Sequence, residues 1–223
     1  MRQLIRNLSD RTEFILVTVL SFSWITLSSL RILLSGTRRI EVTTGAVLQT
    51  MLMEGLILAA VAAMLRVRGW TIRRLGLEFS WKAAAAGIPL FVIYLLVYSI
   101  MVTLVMMVFP VARTAWVFTM IPRAPFFLIV LFVILNSVVE ELLVTAYVIE
   151  SFARDGAGLA ITVSTLFRFG YHLYQGPLAS LSIIPLGLLF GTLYWQRRNV
   201  WPLMVAHTIA NVVVFALNPE RVA

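Results

Sequence analysis

Apolar stretches divide the chain at roughly 13–34, 44–65, 83–109, 125–149, 159–176, 178–195 and 202–217. Between them stand Ser35-Gly36, Pro110, Pro125, Gly156 to Gly158, Gly176-Pro177 and Pro202, the residues that interrupt regular structure. About 20 apolar residues are needed to cross hydrocarbon as a helix. Inside a bilayer every backbone N–H and C=O must find a partner within the protein, so these stretches are expected to be helical. A membrane β-barrel would show short alternating strands, and the chain shows no such pattern. The last three stretches are short, which leaves tilt, re-entry or merging open. The expected fold is all-α, a polytopic transmembrane helical bundle of about seven (six to eight) helices. Residues 1–223 read as a single transmembrane domain, with no soluble domain large enough to fold alone.

Composition agrees with this pattern. Of 223 residues, 61% are hydrophobic and 13% charged, with a mean hydropathy of +0.95. A soluble domain is nearer half apolar and a quarter charged. The absence of cysteine excludes disulfides, thiolate metal sites and a cysteine nucleophile. The net charge of +8 comes from basic residues that mostly flank the apolar runs. There the positive-inside bias and anionic lipid account for them. No base-stacking aromatic pattern accompanies them, so nucleic acid is not an expected partner.

The densest basic cluster is Arg66, Arg68, Arg73, Arg74 and Lys82. Placing it inside brings in Arg154, Arg197, Arg198 and the N-terminus with Arg2, Arg6 and Arg11. That leaves about eleven basic residues inside against about six outside, and makes the N-terminus cytoplasmic, in the plasma (inner) membrane. The first run is too long for a signal-peptide h-region and no small-residue cleavage site follows, so it reads as a retained anchor. No internal repeat is evident, which weakens an inverted-repeat transporter.

An ionisable group within a membrane span costs roughly 2.5–3.5 kcal/mol on insertion scales, so each one is a functional candidate. They gather in the second half of the chain. Glu140 and Glu141 stand in LNSVVEELLVTAYV, Arg168 and His172 in STLFRFGYHLYQG, and His207 and Asn211 in LMVAHTIANVVVF. His207 and Asn211 are four apart and share a helix face, as do Arg168 and His172. Glu140 and Glu141 diverge by about 100° on a helix, so one can face a cavity while the other holds a neighbouring helix. A glutamate in an apolar site can act as general base toward water, with a histidine sharing the proton or orienting the carboxylate. A histidine with an asparagine one turn on can donate two hydrogen bonds to a developing oxyanion. Glu140, His172 and His207 are equally a set of ligands for a divalent metal such as zinc, though spread over three helices. Hydrolysis of an amide by activated water fits both versions.

At these residues the chain resembles the CPBP family of intramembrane proteases, also called the CAAX-protease and bacteriocin-processing or Abi family. That pattern is EExxxR, then FxxxH, then HxxxN or HxxxD, each on its own span. Glu140-Glu141 match the first motif, His172 the second, and His207 with Asn211 the third, over roughly 125–217. Two departures stand out. The arginine of EExxxR falls at Thr145, followed by Ala146 in place of a common glycine, and the phenylalanine of FxxxH falls at Arg168. These changes are linked if Arg168 points inward to Glu141 and supplies the charge missing at position 145. Glu54, near the middle of the second stretch, is a rival partner for Arg168, or a member of a separate buried pair.

The resemblance implies an intramembrane endopeptidase acting on membrane-embedded or lipidated peptide tails, prenylated ones among them. It implies that Glu140 activates water with help from His172, that His207 and Asn211 stabilise the oxyanion, and that Glu141 and Arg168 support them. Both metal-dependent and metal-free mechanisms remain open for it, as does oligomeric state. A catalytically silent scaffold and a transporter or proton relay are the alternatives. Tyr171, Tyr174 and Gln175 can line a groove or anchor at the interface, Gly187 and Gly191 suggest a close helix contact, and Trp70, Trp81, Trp195 and Trp201 an aromatic belt. At 1.5 Å per residue, Glu140 lies roughly 13 Å from the inner end of its stretch and His172 about 20 Å from that of its own, so the two must be brought level.

Overall fold

The structure, a computed structural model, describes residues 2–109, 119–176 and 180–217. Pro110, Pro177 and the expected start of the sixth stretch at 178 lie outside the described residues. A short helix α1 (Arg2–Arg6) precedes α2 (Asp10–Ser35), whose first turn is capped by Ser9 accepting from the Thr12 N–H at 3.1 Å. Gly36 ends α2 in the left-handed region at φ 67, where glycine carries no Cβ penalty. Thr43 caps α3 (Thr44–Val67), and Ser80 caps α4 (Trp81–Ala85), which is followed by α5 (Gly87–Val108). Next, α6 (Phe126–Glu140) runs into a π-helical segment, Glu141–Tyr147, and then α7 (Val148–Ser151). The remaining helices are α8 (Ala157–Tyr171), α9 (Ile183–Arg197) and α10 (Trp201–Ala216).

The helices coincide with the apolar stretches to within a few residues. Residues 10–35, 44–67, 81–108 and 126–151 are long and apolar enough to cross a membrane. Helices α8, α9 and α10, of 15, 15 and 16 residues, are shorter, as their sequence suggested. One feature departs from expectation. Strand β1 (Arg39–Val42) pairs in parallel with β2 (Thr119–Pro122), Arg39 opposite Thr119. Four residues are too few for a legible period-2 pattern, and the pairing joins segments far apart in the chain.

Helix direction alternates. At one pole Arg68, just past α3, donates to Glu13 and Asp10 at the start of α2, at 2.5 and 2.9 Å. Also there, the Val200 N–H donates to the Gly76 carbonyl at 3.0 Å, and Arg198 pairs with Glu150. This pole gathers the basic cluster, Arg197 and the N-terminal arginines, the grouping expected from charge placement. At the far pole lie the strand pair and the contact of the Tyr174 N–H with Ser29 Oγ at 2.8 Å. A cleft of about 650 Å³ opens at the basic pole between Asp10, Glu13, Arg68, Trp70, Arg74 and Glu150; it contains none of the site residues inferred from sequence. Of the expected aromatic belt, Trp81 is exposed, but the Trp70 indole donates to Glu13 at 2.9 Å and Trp201 to the Leu77 carbonyl at 3.1 Å. Those two are structural hydrogen-bond donors as well as interfacial rings.

The core centres on the π-helical segment, in which every residue from Glu141 to Tyr147 is buried. Around it α8 and α9 approach closely because Gly187 and Gly191 face α8. A Cβ on Gly187 would lie 2.9 Å from the Thr165 side chain, and one on Gly191 2.9 Å from Ile161. Gly187→Leu should therefore lower the stability of the purified protein by about 1–3 kcal/mol through overpacking. Gly158→Ala, whose Cβ meets open space, should not. Thermal unfolding in detergent checks the pair, and equal melting would show that α8 and α9 have room to spare.

Candidate active site

Glu141 opens the π-helical segment and is fully buried. A lone carboxylate there would be very costly; three donors surround this one. Oε1 accepts from Arg168 Nη2 at 2.8 Å and from His207 Nδ1 at 2.7 Å, while Oε2 accepts from Thr145 Oγ1 at 2.8 Å. Arg168 comes from α8 and His207 from α10, so one carboxylate ties three helices together. The Arg168 guanidinium also donates to Thr145 Oγ1 at 3.0 Å. Position 145, where the motif has arginine, thus receives a guanidinium from the neighbouring helix, as the paired departures suggested. The rival does not pair with it: Glu54 instead accepts from Asn136 Nδ2 at 2.8 Å.

Glu140 is held differently. Its Oε2 accepts from the Tyr171 hydroxyl at 2.5 Å and stands 3.6 Å from Arg168 Nη1. No described residue donates to its Oε1, and the residue keeps 8% exposure against none for Glu141. The adjacent glutamates therefore differ: Glu141 is held by donors from three elements, and Glu140 by one tyrosine with an arginine nearby. Arg168 Nη1 is itself buried without a hydrogen-bond partner among the described residues.

His172 caps α8, and its Nδ1 lies 2.8 Å from the Arg168 carbonyl. A carbonyl can only accept, so Nδ1 donates and Nε2 is left for other work. The ring packs 4.6 Å from that of Tyr171. The difference in depth along the helices is met by side-chain direction. Side chains lean toward the N-terminus of their helix, and α6 and α8 are antiparallel, so Glu140 leans toward the far pole while Tyr171 leans back to meet it. His207 also donates through Nδ1, to the Glu141 carboxylate, which leaves Nε2 without a hydrogen bond among the described residues. Asn211 is half-buried and makes no side-chain hydrogen bond among the described residues.

Glu140, Glu141, Arg168 and His207 thus form one network, with His172 joined through the Arg168 carbonyl and Tyr171. Tyr171 is 2% exposed and belongs to the site rather than to a membrane interface. Its place three residues after Arg168, on the same helix face, was the available signal. Asn136, four before Glu140, gave a similar one. Among the described residues no three His, Asp or Glu side chains form a group able to hold a metal ion, so Glu140, His172 and His207 do not make a ready cage.

Residues 122–213 match the family described as Type II CAAX prenyl endopeptidase Rce1-like. The match spans α6 to α10 and contains every residue of the network. No curated protein and no solved structure matches the chain.

The clasp predicts a swap. Arg168→Phe should cost about 3–5 kcal/mol by stranding the Glu141 charge. Adding Thr145→Arg should recover part of that loss by supplying the guanidinium from α6's own continuation. Unfolding of the single and double variants measures it, and a double variant as unstable as Arg168→Phe would refute the exchange.

Proposed function

We propose that this chain, whose residues 122–213 match the type II CAAX prenyl endopeptidase family, hydrolyses a peptide bond in membrane-embedded or lipidated tails, with Glu140 as the base that activates water. The observation that carries the reading is the contrast between the glutamates: Glu141 is saturated by donors, whereas Glu140 keeps an oxygen unbonded beside a histidine and a tyrosine. In the proposed step Glu140 takes one proton from water, and the hydroxide oxygen bonds to the substrate carbonyl carbon. The carbonyl π electrons move to oxygen, which His207 and Asn211 stabilise. His207 already donates Nδ1–H to Glu141, so it donates to the oxyanion from Nε2 as imidazolium. His172, with Nδ1 donating to a carbonyl, offers Nε2 as an acceptor that orients the water. Collapse of the intermediate breaks the C–N bond, and Glu140 returns its proton to the leaving amine.

The basic pole is read as cytoplasmic, with the N-terminus on that side.

Purified protein in liposomes, given a library of lipidated and transmembrane peptides, should cleave some members. Glu140→Gln should lower kcat by roughly 10²–10⁴-fold. Asn211→Ala should lower it by about 10²–10³-fold with KM little changed, because its hydrogen bond forms in the transition state. Equal product from wild type and Glu140→Ala would remove the peptidase reading.

A further inference from the structure

Glu54 is a second intramembrane carboxyl that the proposed chemistry does not use. It sits in α3, is 8% exposed, and has leucines at positions 52 and 56 exposed on the same helix. Its Oε1 accepts from Asn136, but its Oε2 is buried with no hydrogen-bond partner among the described residues. An orphan oxygen of that kind costs on the order of 1–3 kcal/mol, more if charged. The neighbourhood explains why it is kept. Asn136 is four residues before Glu140, so the two share a face of α6 about 6 Å apart along the axis. The Asn136 carboxamide, having given a hydrogen from Nδ2 to Glu54, retains Oδ1 as an acceptor. Glu54 Oε2 and Asn136 Oδ1 therefore offer hydrogen-bonding capacity one helical turn toward the far pole from the candidate base.

A peptide drawn out for hydrolysis brings its own difficulty. Extended backbone beside Glu140 exposes N–H and C=O groups that neither lipid nor a helix ladder can satisfy. The two shortages match. We propose that Glu54 and Asn136 form a hydrogen-bonding subsite for the backbone of the peptide bound beside Glu140. This rests on the peptidase reading, but binding tests it separately from turnover.

The experiment uses full-length Glu140→Gln protein in nanodiscs, with a fluorescent, C-terminally lipidated peptide as the probe. Adding Glu54→Leu should weaken Kd about tenfold, the worth of one hydrogen bond. Adding Glu54→Gln, which keeps an accepting oxygen and gains an NH2, should leave Kd within about threefold. N-methylation at one backbone position of the peptide should abolish the difference between the parent and Glu54→Leu proteins. Glu54→Met, close to glutamate in length, is read if Glu54→Leu does not fold. Equal Kd for the parent and the apolar variant, as expected if Oε2 merely holds a structural water, overturns the subsite. So does failure of the parent to bind the probe. Cleavage by protein with Glu140 intact is followed in parallel. Turnover without a Kd shift removes the subsite and keeps the peptidase, whereas a Kd shift without turnover keeps the subsite and removes the peptidase.

Discussion

A single buried carboxylate sets the arrangement of everything around it. Glu141 can be ionised inside the bundle because Arg168, His207 and Thr145 donate to it, and these partners come from three different elements. Removing Arg168 takes away the cation opposite that charge in a low dielectric, where breaking such a pair costs more than forming it gains. The consequence is positional. Helices α6, α8 and α10 hold one relative register, and Glu140, Tyr171 and His172 inherit their places from it. The π-helical geometry of residues 141–147 belongs to the same solution. Its wider turn alters the backbone ladder, and the Val144 carbonyl is met from outside by Ser164 Oγ of α8 at 2.7 Å.

A second ionic contact anchors the other end of that segment. Glu13, 4% exposed, accepts from Arg68 at 2.5 Å, from Trp70 at 2.9 Å and from the Tyr147 hydroxyl at 3.4 Å. Tyr147 closes the π-helical segment that Glu141 opens. Residues 141–147 are therefore pinned to α8 and α10 at one end and to α2 and the post-α3 turn at the other. The basic pole contributes more than topology. It fixes the phase of the segment that presents the site.

The spans were legible because long apolar runs bounded by glycine and proline admit few readings in a membrane. The clasp was legible for a different reason. Two departures from one motif, Thr145 and Arg168, made sense only together, and their coupling could be inferred without coordinates. Other features left no such trace. A π-helix differs from an α-helix by less than one residue per turn, so a seven-residue segment carries no distinctive spacing. Glu13 reads in sequence as a first-turn acid facing water, and its burial depends on Arg68 and Trp70, more than fifty residues away. Tyr171 could be placed on the Arg168 face from its spacing, but its contact with Glu140 depends on where α8 ends.

Charge balance within the network gives the proposed division of labour a physical basis. Glu140 and Glu141 contribute two negative charges and Arg168 one positive charge. The proposed step calls for an imidazolium at His207, the state in which the ring donates from both nitrogens, and that charge would balance the cluster. Arg168 engages the glutamates unequally, with a hydrogen bond to Glu141 at 2.8 Å but a 3.6 Å approach to Glu140. Protonating Glu141 would displace a donor from one of its oxygens, Arg168 and His207 at Oε1 or Thr145 at Oε2. Protonating Glu140 disturbs one tyrosine contact and leaves the clasp intact. In the proposed mechanism the proton lost by water would therefore have a receiver that can accept it without loosening the helices that hold the site.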